Sequence, residues 1–325
     1  MSILLCVMLA LAACSKDSES KIKRIEFRLK WLFNISVIGD LFTLERGYFD
    51  AQGLSVTIKE GGPERDAIKA LELGQAQFGV ASADQIIRAI AKGSPIIVVA
   101  QLFQTNPLQW IYRPDTLKLE SPEDLKGKHI GITYGGNDET IMRALLAKYG
   151  IKEGEVRLYS VRYDYTPFYQ GKVDLWPIYR NAEGVVISAK LRSAGEKVAF
   201  FNPSDFGIRF VANSVITTQD MLQVQPQLVK GFTQALLQGW ESAFQSDLKA
   251  AAIAALKRYD KDTSEDLLNQ QYTVTRKLIK PHSHLAIGTI DLKAWRQTEA
   301  IMLSQNLISA PVKIENFIQP VVPHN

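Results

Sequence analysis

The segment Trp176-Pro177-Ile178-Tyr179-Arg180-Asn181-Ala182-Glu183 puts two aromatic rings, an amide and a carboxylate into one short stretch. Around it, from Tyr159 to Phe206, lie Tyr163, Tyr165, Phe168, Tyr169 and Phe206 together with Asp164 and Asp174. This set suits the capture of a flat solute. Ring faces stack on a planar ligand, and a carboxylate facing it selects N–H donors and rejects anions. The alternative for Glu183 is a solvated residue in the first turn of a helix, favoured there by the helix dipole. Trp31 and Asn34 offer the same pairing of ring face and amide earlier in the chain, the alternative for Trp31 being a cover over a sheet end. In Tyr134-Gly135-Gly136-Asn137-Asp138 two glycines let backbone N–H groups turn toward a ligand, Asn137 reads as a helix N-cap, and Asp138 partly answers the positive end of that helix. A plain tight turn is the competing reading.

Other chemistry finds little support. The chain has two cysteines, Cys6 and Cys14, and four histidines, of which His282 and His284 flank Ser283 without nearby acidic ligands while His129 and His324 stand alone. No Gly-x-Ser-x-Gly elbow and no Walker-type phosphate loop occurs. A hydrolase or metal-dependent enzyme therefore lacks its machinery. A formal charge of +4 with scattered basic residues argues against nucleic acid as a partner. A receptor for an anion would need an arginine on a cleft turn, for which Arg180 and Arg209 are the candidates; beside Glu183, Arg180 would be neutralised.

These residues need elements to position them. From Ile25 the chain alternates strands and helices: Ile25 to Trp31, Leu41 to Arg46, Leu54 to Ile58, Arg65 to Leu73, Gln77 to Val80, Asp84 to Ala91 and Ile96 to Leu102. After Asn106-Pro107 the theme restarts, with a helix start at Ser121-Pro122, strand His129 to Thr133, helix Glu139 to Tyr149, and strands Glu155 to Ser160, Val173 to Trp176 and Lys197 to Phe200. Pro177 is expected to stop the strand before it. Beyond Asn213 the pattern is read as almost wholly helical, a tail returning to the first domain. The expected fold is thus α/β, two lobes each with a mainly parallel sheet flanked by helices, joined by two connections that permit hinge closure. Lobe 1 takes residues 25–106 and 208–325, and lobe 2 takes residues 107–207. Ligands collect beyond the carboxyl ends of parallel strands, which directs attention to the strand-to-helix turns.

At the N-terminus, Leu11-Ala12-Ala13-Cys14 closes an apolar run and is followed by polar Ser15 to Lys21. This pattern reads as a signal peptide over residues 1–13, lipidation at Cys14, and a tether over residues 14–24. The expectation is an extracytoplasmic, membrane-anchored lipoprotein.

Leu29-Lys30-Trp31-Leu32-Phe33-Asn34, Gly39, Glu45-Arg46-Gly47-Tyr48-Phe49 and Gly53-Leu54-Ser55-Val56 resemble the opening of the thiamine-pyrimidine-precursor and nitrate/sulfonate/taurine branch of ABC-transporter solute-binding proteins. The likeness continues through Gly74 to Val80, Asp124 to Lys128 with Ile130-Gly131, and Gly171 to Asp174. It implies the type II periplasmic-binding-protein fold, a small-molecule ligand, an ABC permease as partner, a monomeric state, and neither cofactor nor catalysis. Trp31 and the Asn181-x-Glu183 pair look most like members that bind the aminopyrimidine precursor of thiamine, which carries Trp31, Asn34, Trp176, Tyr179 and Glu183 over as ligand contacts. Where the family has Pro before the Asn and His three residues after it, this chain has Phe33 and Val37. Related eukaryotic pyrimidine synthases use that His with a cysteine-rich segment, and this chain has neither. A sulfonate- or nitrate-type anion and a flavin remain as alternative ligands. With the turn residues added, the expected ligand-binding set is Trp31, Asn34, Gly61, Ser82, Asp84, Tyr134, Gly135, Gly136, Tyr163, Trp176, Tyr179, Asn181, Glu183 and Phe206, with no metal ligands.

Overall fold

The structure is a computed structural model and describes residues 23–320. The signal-peptide and lipidation readings, Cys14 included, lie outside the described residues. Lys23 and Arg24, read as tether, open the first strand instead, because they find partners in Leu54 and Ser55.

The first half lays down β1 (Lys23–Arg28), α1 (Ile38–Glu45), β2 (Leu54–Lys59), α2 (Ala67–Glu72), β3 (Phe78–Ala81), α3 (Ala83–Ala91) and β4 (Ile96–Gln101). The chain then crosses into β5 (Leu108–Tyr112), β6 (His129–Ile132), α4 (Asn137–Lys148), β7 (Arg157–Ser160), α5 (Thr166–Tyr169), β8 (Trp176–Tyr179), α6 (Glu183–Ser193) and β9 (Ala199–Phe201). It returns through β10 (Ser214–Thr218) to α7 (Gln219–Val224), α8 (Pro226–Ala243), α9 (Lys249–Lys257), α10 (Glu265–Ile279) and α11 (Leu292–Ser304).

The two lobes are built to one plan, a five-stranded sheet in the first and a three-stranded and a two-stranded sheet joined by an isolated bridge in the second. In the first, ordered β2-β1-β3-β10-β4, β1 runs parallel to β2 and β3, while β10 runs antiparallel to β3 and β4. In the second, β6 pairs parallel with β7, an Ile130–Leu175 bridge links β6 to the segment entering β8, and β5 is antiparallel to β8 and β9. The reversed strand in each lobe is the one that arrives from the other lobe. Both were missed in the sequence: β5 is buried along its whole length and β10 nearly so, so neither alternates apolar with polar residues. Pro177 does not end a strand; it lies inside β8 opposite Trp110, where the lost N–H is tolerated.

The two connections run side by side. Leu102 N–H and Phe103 N–H both donate to the Asn213 carbonyl, at 3.0 and 3.3 Å, and Asn106 Nδ2 donates to the Phe210 carbonyl at 3.0 Å. The C-terminal helices return to lobe 1 as expected: α8 lies on α1, and α11 packs on α3 with Trp295 Nε1 donating to Gln101 Oε1 at 3.1 Å. Lobe 1's core centres on Phe232 of α8, stacked on Phe78 at 3.7 Å between ring centroids and edge-on to Phe27.

The α1–α8 contact is close because glycines sit in it. A Cβ on Gly39 would overlap the Trp240 ring, and one on Gly239 would overlap the Thr43 hydroxyl and backbone. Gly239→Ala is accordingly expected to destabilise the protein by about 1–3 kcal/mol, since two packed helices must move apart. Urea unfolding should show a lower midpoint with an unchanged slope; an unchanged midpoint would refute the contact.

Candidate functional site

The cleft between the lobes is walled by residues at the carboxyl ends of the parallel strands. Lys30, Trp31 and Asn34 follow β1, and Gly62 and Pro63 follow β2. Thr133 to Asp138 follow β6, Arg162 and Tyr165 follow β7, and Glu183 follows β8, which itself supplies Trp176 and Tyr179. Leu102, Leu108 and Asn213 come from the two connections. Counting its open mouth the space is about 1300 Å³, so size alone does not separate a one-ring ligand from a three-ring one.

Aromatic rings form two stations. Trp31 of lobe 1 packs on Tyr163 of lobe 2 with ring centroids 5.3 Å apart, and Tyr165 sits 5.6 Å from Trp176. Nearby, Arg162 pairs with Glu64 across the mouth. Asn34 Oδ1 accepts from Ser36 N–H at 2.8 Å, which caps the short turn Ile35–Val37 and fixes the chain after Trp31.

A polar network crosses the cleft. Lys30 Nζ donates to Asn137 Oδ1 at 2.9 Å and to the Tyr179 hydroxyl at 2.6 Å, and that hydroxyl donates to Asn213 Oδ1 at 3.2 Å. Four carboxyls line the wall, Asp40, Asp66, Asp138 and Glu183, and burial raises three of them. Asp40 is 1% exposed and accepts from Trp240 Nε1 at 2.7 Å; burial pushes its pKa up to about 8. Burial pushes Asp138 up to about 6, against the pull of the Thr133 N–H that it accepts at 2.5 Å. Glu183 is also raised by desolvation, opposed by hydrogen bonds from its own N–H and that of Tyr179 and by the charge of Lys30. Burial, with help from the Glu183 charge, raises the Tyr165 phenol, so that hydroxyl stays neutral.

Of the residues expected from the sequence, Trp31, Asn34, Tyr134, Gly135, Gly136, Trp176, Tyr179 and Glu183 line this cleft, and Tyr163 packs on Trp31 beside it. The others are placed behind the wall. Gly61 donates its N–H to the Trp31 carbonyl at 3.0 Å and has backbone where a side chain would be. Ser82 caps α3 with Gln85, and Asp84 is fully buried with neither carboxyl oxygen partnered among the described residues. Asn181, fully buried, donates its amide to Ser36 Oγ and Thr275 Oγ1, both at 3.0 Å. Phe206 stacks on Phe201 at 5.0 Å. Arg180 and Arg209 are exposed and off the cleft, so Lys30 takes the cationic place considered for them. Lys30, Asp40 and Asn213 are wall residues that sequence reasoning missed; the available signal for Lys30 was a charge just past the end of β1, next to Trp31.

Among the described residues no group of three His, Cys, Asp or Glu side chains could hold a metal ion, and no helix is long and apolar enough to cross a membrane. His282 and His284 lie exposed, stacked on each other at 5.5 Å.

The sequence profile of the NMT1/THI5-like family matches residues 34–250, which takes in β2 to β10 and the cleft wall from Asn34 onward. The chain belongs to the NMT1/THI5-like family. Two of its relatives run nearly end to end. A riboflavin-binding protein of Chloroflexus aurantiacus is 23% identical over 96% of this chain and 90% of its own length. A formylaminopyrimidine-binding protein of Halalkalibacterium halodurans is 22% identical over 98% of this chain and 97% of its own. The crystal structure of the periplasmic aliphatic sulphonate-binding protein of Escherichia coli superposes with a TM-score of 0.70 over 92% of each chain at 17% identity. This member of the NMT1/THI5-like family therefore has the periplasmic-binding-protein fold expected from its sequence.

Proposed function

We propose that the chain is the extracytoplasmic solute-binding component of an ABC importer, and that it captures a small planar nitrogenous ligand, a thiamine-precursor pyrimidine. The observation that carries this reading is a cleft that joins two tilted pairs of aromatic rings to a carboxyl, Glu183, whose pKa desolvation raises. A protonated carboxyl offers a donor and an acceptor side by side, which is what an aminopyrimidine edge presents in reverse. The names of the two near full-length relatives, formylaminopyrimidine- and riboflavin-binding, both describe flat nitrogen heterocycles. Residues 25–106 with 208–325 form one lobe and residues 107–207 the other, closing about the paired connections at Leu102–Asn213. Cys14 carries the lipid, and the protein acts as a monomer that delivers its ligand to a membrane permease without breaking a bond in it. A flavin is the second reading, favoured by the riboflavin-binding relative.

Titration calorimetry with an aminopyrimidine, riboflavin and an alkanesulfonate, followed by mass spectrometry of the released ligand, tests this. The expected order places the aminopyrimidine first and recovers it unaltered. Trp31→Ala should weaken that ligand by about 1–3 kcal/mol, the size of a lost base-on-aromatic stack. Preference for the sulfonate, a modified product, or an indifferent Trp31→Ala would each count against the proposal.

A further inference from the structure

Asp84 is 0% exposed, and neither of its carboxyl oxygens has a hydrogen-bond partner among the described residues. It lines no part of the cleft. Four positions on, about one turn along the same side of α3, stands Arg88; Ala83, Ile86, Ile87 and Ile90 turn the other side of that helix into the core. Asp followed by Arg at this spacing is the favourable order for an ion pair on a helix, yet here the pair is not made. Arg88 is engaged elsewhere. Its Nη2 donates to the hydroxyl of Thr140 in α4, a residue of the other lobe that is 1% exposed. The result is a poor exchange for both charged groups. A carboxyl buried without donors is costly, and a neutral hydroxyl is a weaker partner for a guanidinium than a carboxylate is.

We infer that Asp84 and Arg88 set ligand affinity from outside the cleft, as positioning residues that exchange partners: with the lobes together Arg88 bridges to Thr140, and when they part it turns back onto Asp84. The inference rests on the hinged lobes of the proposed function and not on the ligand named there. Parting α3 from α4 takes Thr140 out of reach, admits water to Asp84 and frees Arg88 for the carboxylate one turn away. Each of these favours the open arrangement. A ligand that draws the lobes together must break the pair and bury Asp84, so the measured affinity is lower than the closed cleft alone would give. Only the Arg88 side chain has to move, because α3 carries both groups and its start is held by the capping box of Ser82 and Gln85. Neither group touches the cleft, and their effect is therefore the same factor for every ligand.

The test is small-angle X-ray scattering on the ligand-free full chain, joined by calorimetry with an aminopyrimidine and riboflavin as probes. Asp84→Asn keeps the shape and removes the charge to which Arg88 returns. It should compact the ligand-free protein, read as a smaller radius of gyration, and tighten each probe that binds by about fivefold, the scale of a partly exposed ion pair acting on the competent population. Thr140→Val removes the partner on the other lobe and should do the reverse, expanding the protein and weakening each probe by a similar factor. Arg88→Met completes a double-mutant cycle, in which Asp84→Asn should lose most of its effect once the arginine is gone. A merely structural Asp84 lowers the urea midpoint and leaves the ligand-free dimensions at their native value, which overturns the inference. An Asp84→Asn effect of equal size with and without Arg88 overturns it too, as does a changed ratio between the two probes. Should Asp84→Asn fail to fold, Thr140→Val decides: native dimensions in that variant overturn the switch. If neither probe binds, the pyrimidine and flavin readings fall, while the scattering still decides the switch.

Discussion

Asp40→Asn is expected to remove most of the loss of stability that the ligand-free native protein shows as pH rises from about 4 to about 8. The carboxyl of Asp40 lies in α1 beneath the cleft, and burial moves it from 3.8 to about 8. Between these values the folded chain holds a proton that the unfolded chain has released. Raising the pH therefore favours unfolding. The contribution is fully present below the unfolded value and is lost as the pH climbs through the folded one, with an upper bound on the order of 5 kcal/mol. Asp138 adds to the same slope over the lower part of the window, from 3.8 to about 6. Asn keeps an oxygen for the Trp240 N–H, which Asp40 now accepts at 2.7 Å, and has no proton to lose. Urea midpoints at about pH 5 and about pH 8 measure the slope in both proteins. A native protein whose stability holds or rises across this range, or an Asp40→Asn variant with the native slope, would show that Asp40 ionises freely in the fold.

The carboxyl that controls this behaviour was also the one least visible in the sequence. In the chain Asp40 is an ordinary acid in the first turn of an amphipathic helix. It becomes buried only because Trp240, two hundred positions later, lies across α1 where Gly39 leaves room. Lys30 and Asn213 were hidden for the same reason: their partners come from the opposite lobe or from the other connection. The strands and helices of the two parallel units were legible because their periods and caps are local. The capping box at Ser82 and the Pro at the start of the Pro122–Leu125 turn are examples. β5 and β10 were not, since each takes its place through pairing with strands laid down in another part of the chain. The cleft aromatics and Glu183 could be named because strand-to-helix turns are where this architecture puts its recognition groups. Asn181 lies in the turn between β8 and α6, which turns its amide into the contact with Thr275 of α10.

Glu183→Gln should weaken aminopyrimidine binding by about tenfold and strip it of most of its pH dependence, because the change removes a proton while keeping the shape. Glu183 starts α6 at the end of β8, where its Oε2 accepts the Tyr179 N–H at 3.1 Å; a Gln oxygen can do the same, so the turn is retained. What differs is the second oxygen's chemistry. Burial raises the native carboxyl, and an aminopyrimidine ring nitrogen beside it is a base, so the pair shares a proton and gains a charge-assisted bond. The amide can form neutral hydrogen bonds to the same edge and has no proton to transfer. For an alkanesulfonate the sign reverses as the pH rises, since only the native carboxyl can ionise and repel the anion while the amide stays neutral. Calorimetry of both ligands from about pH 6 to 8, on native and variant protein, separates the cases. Aminopyrimidine affinity that survives the substitution with its pH dependence intact would move the recognising carboxyl to Asp138 or Asp40, whose pKa values are raised to about 6 and about 8, within reach of the same titration.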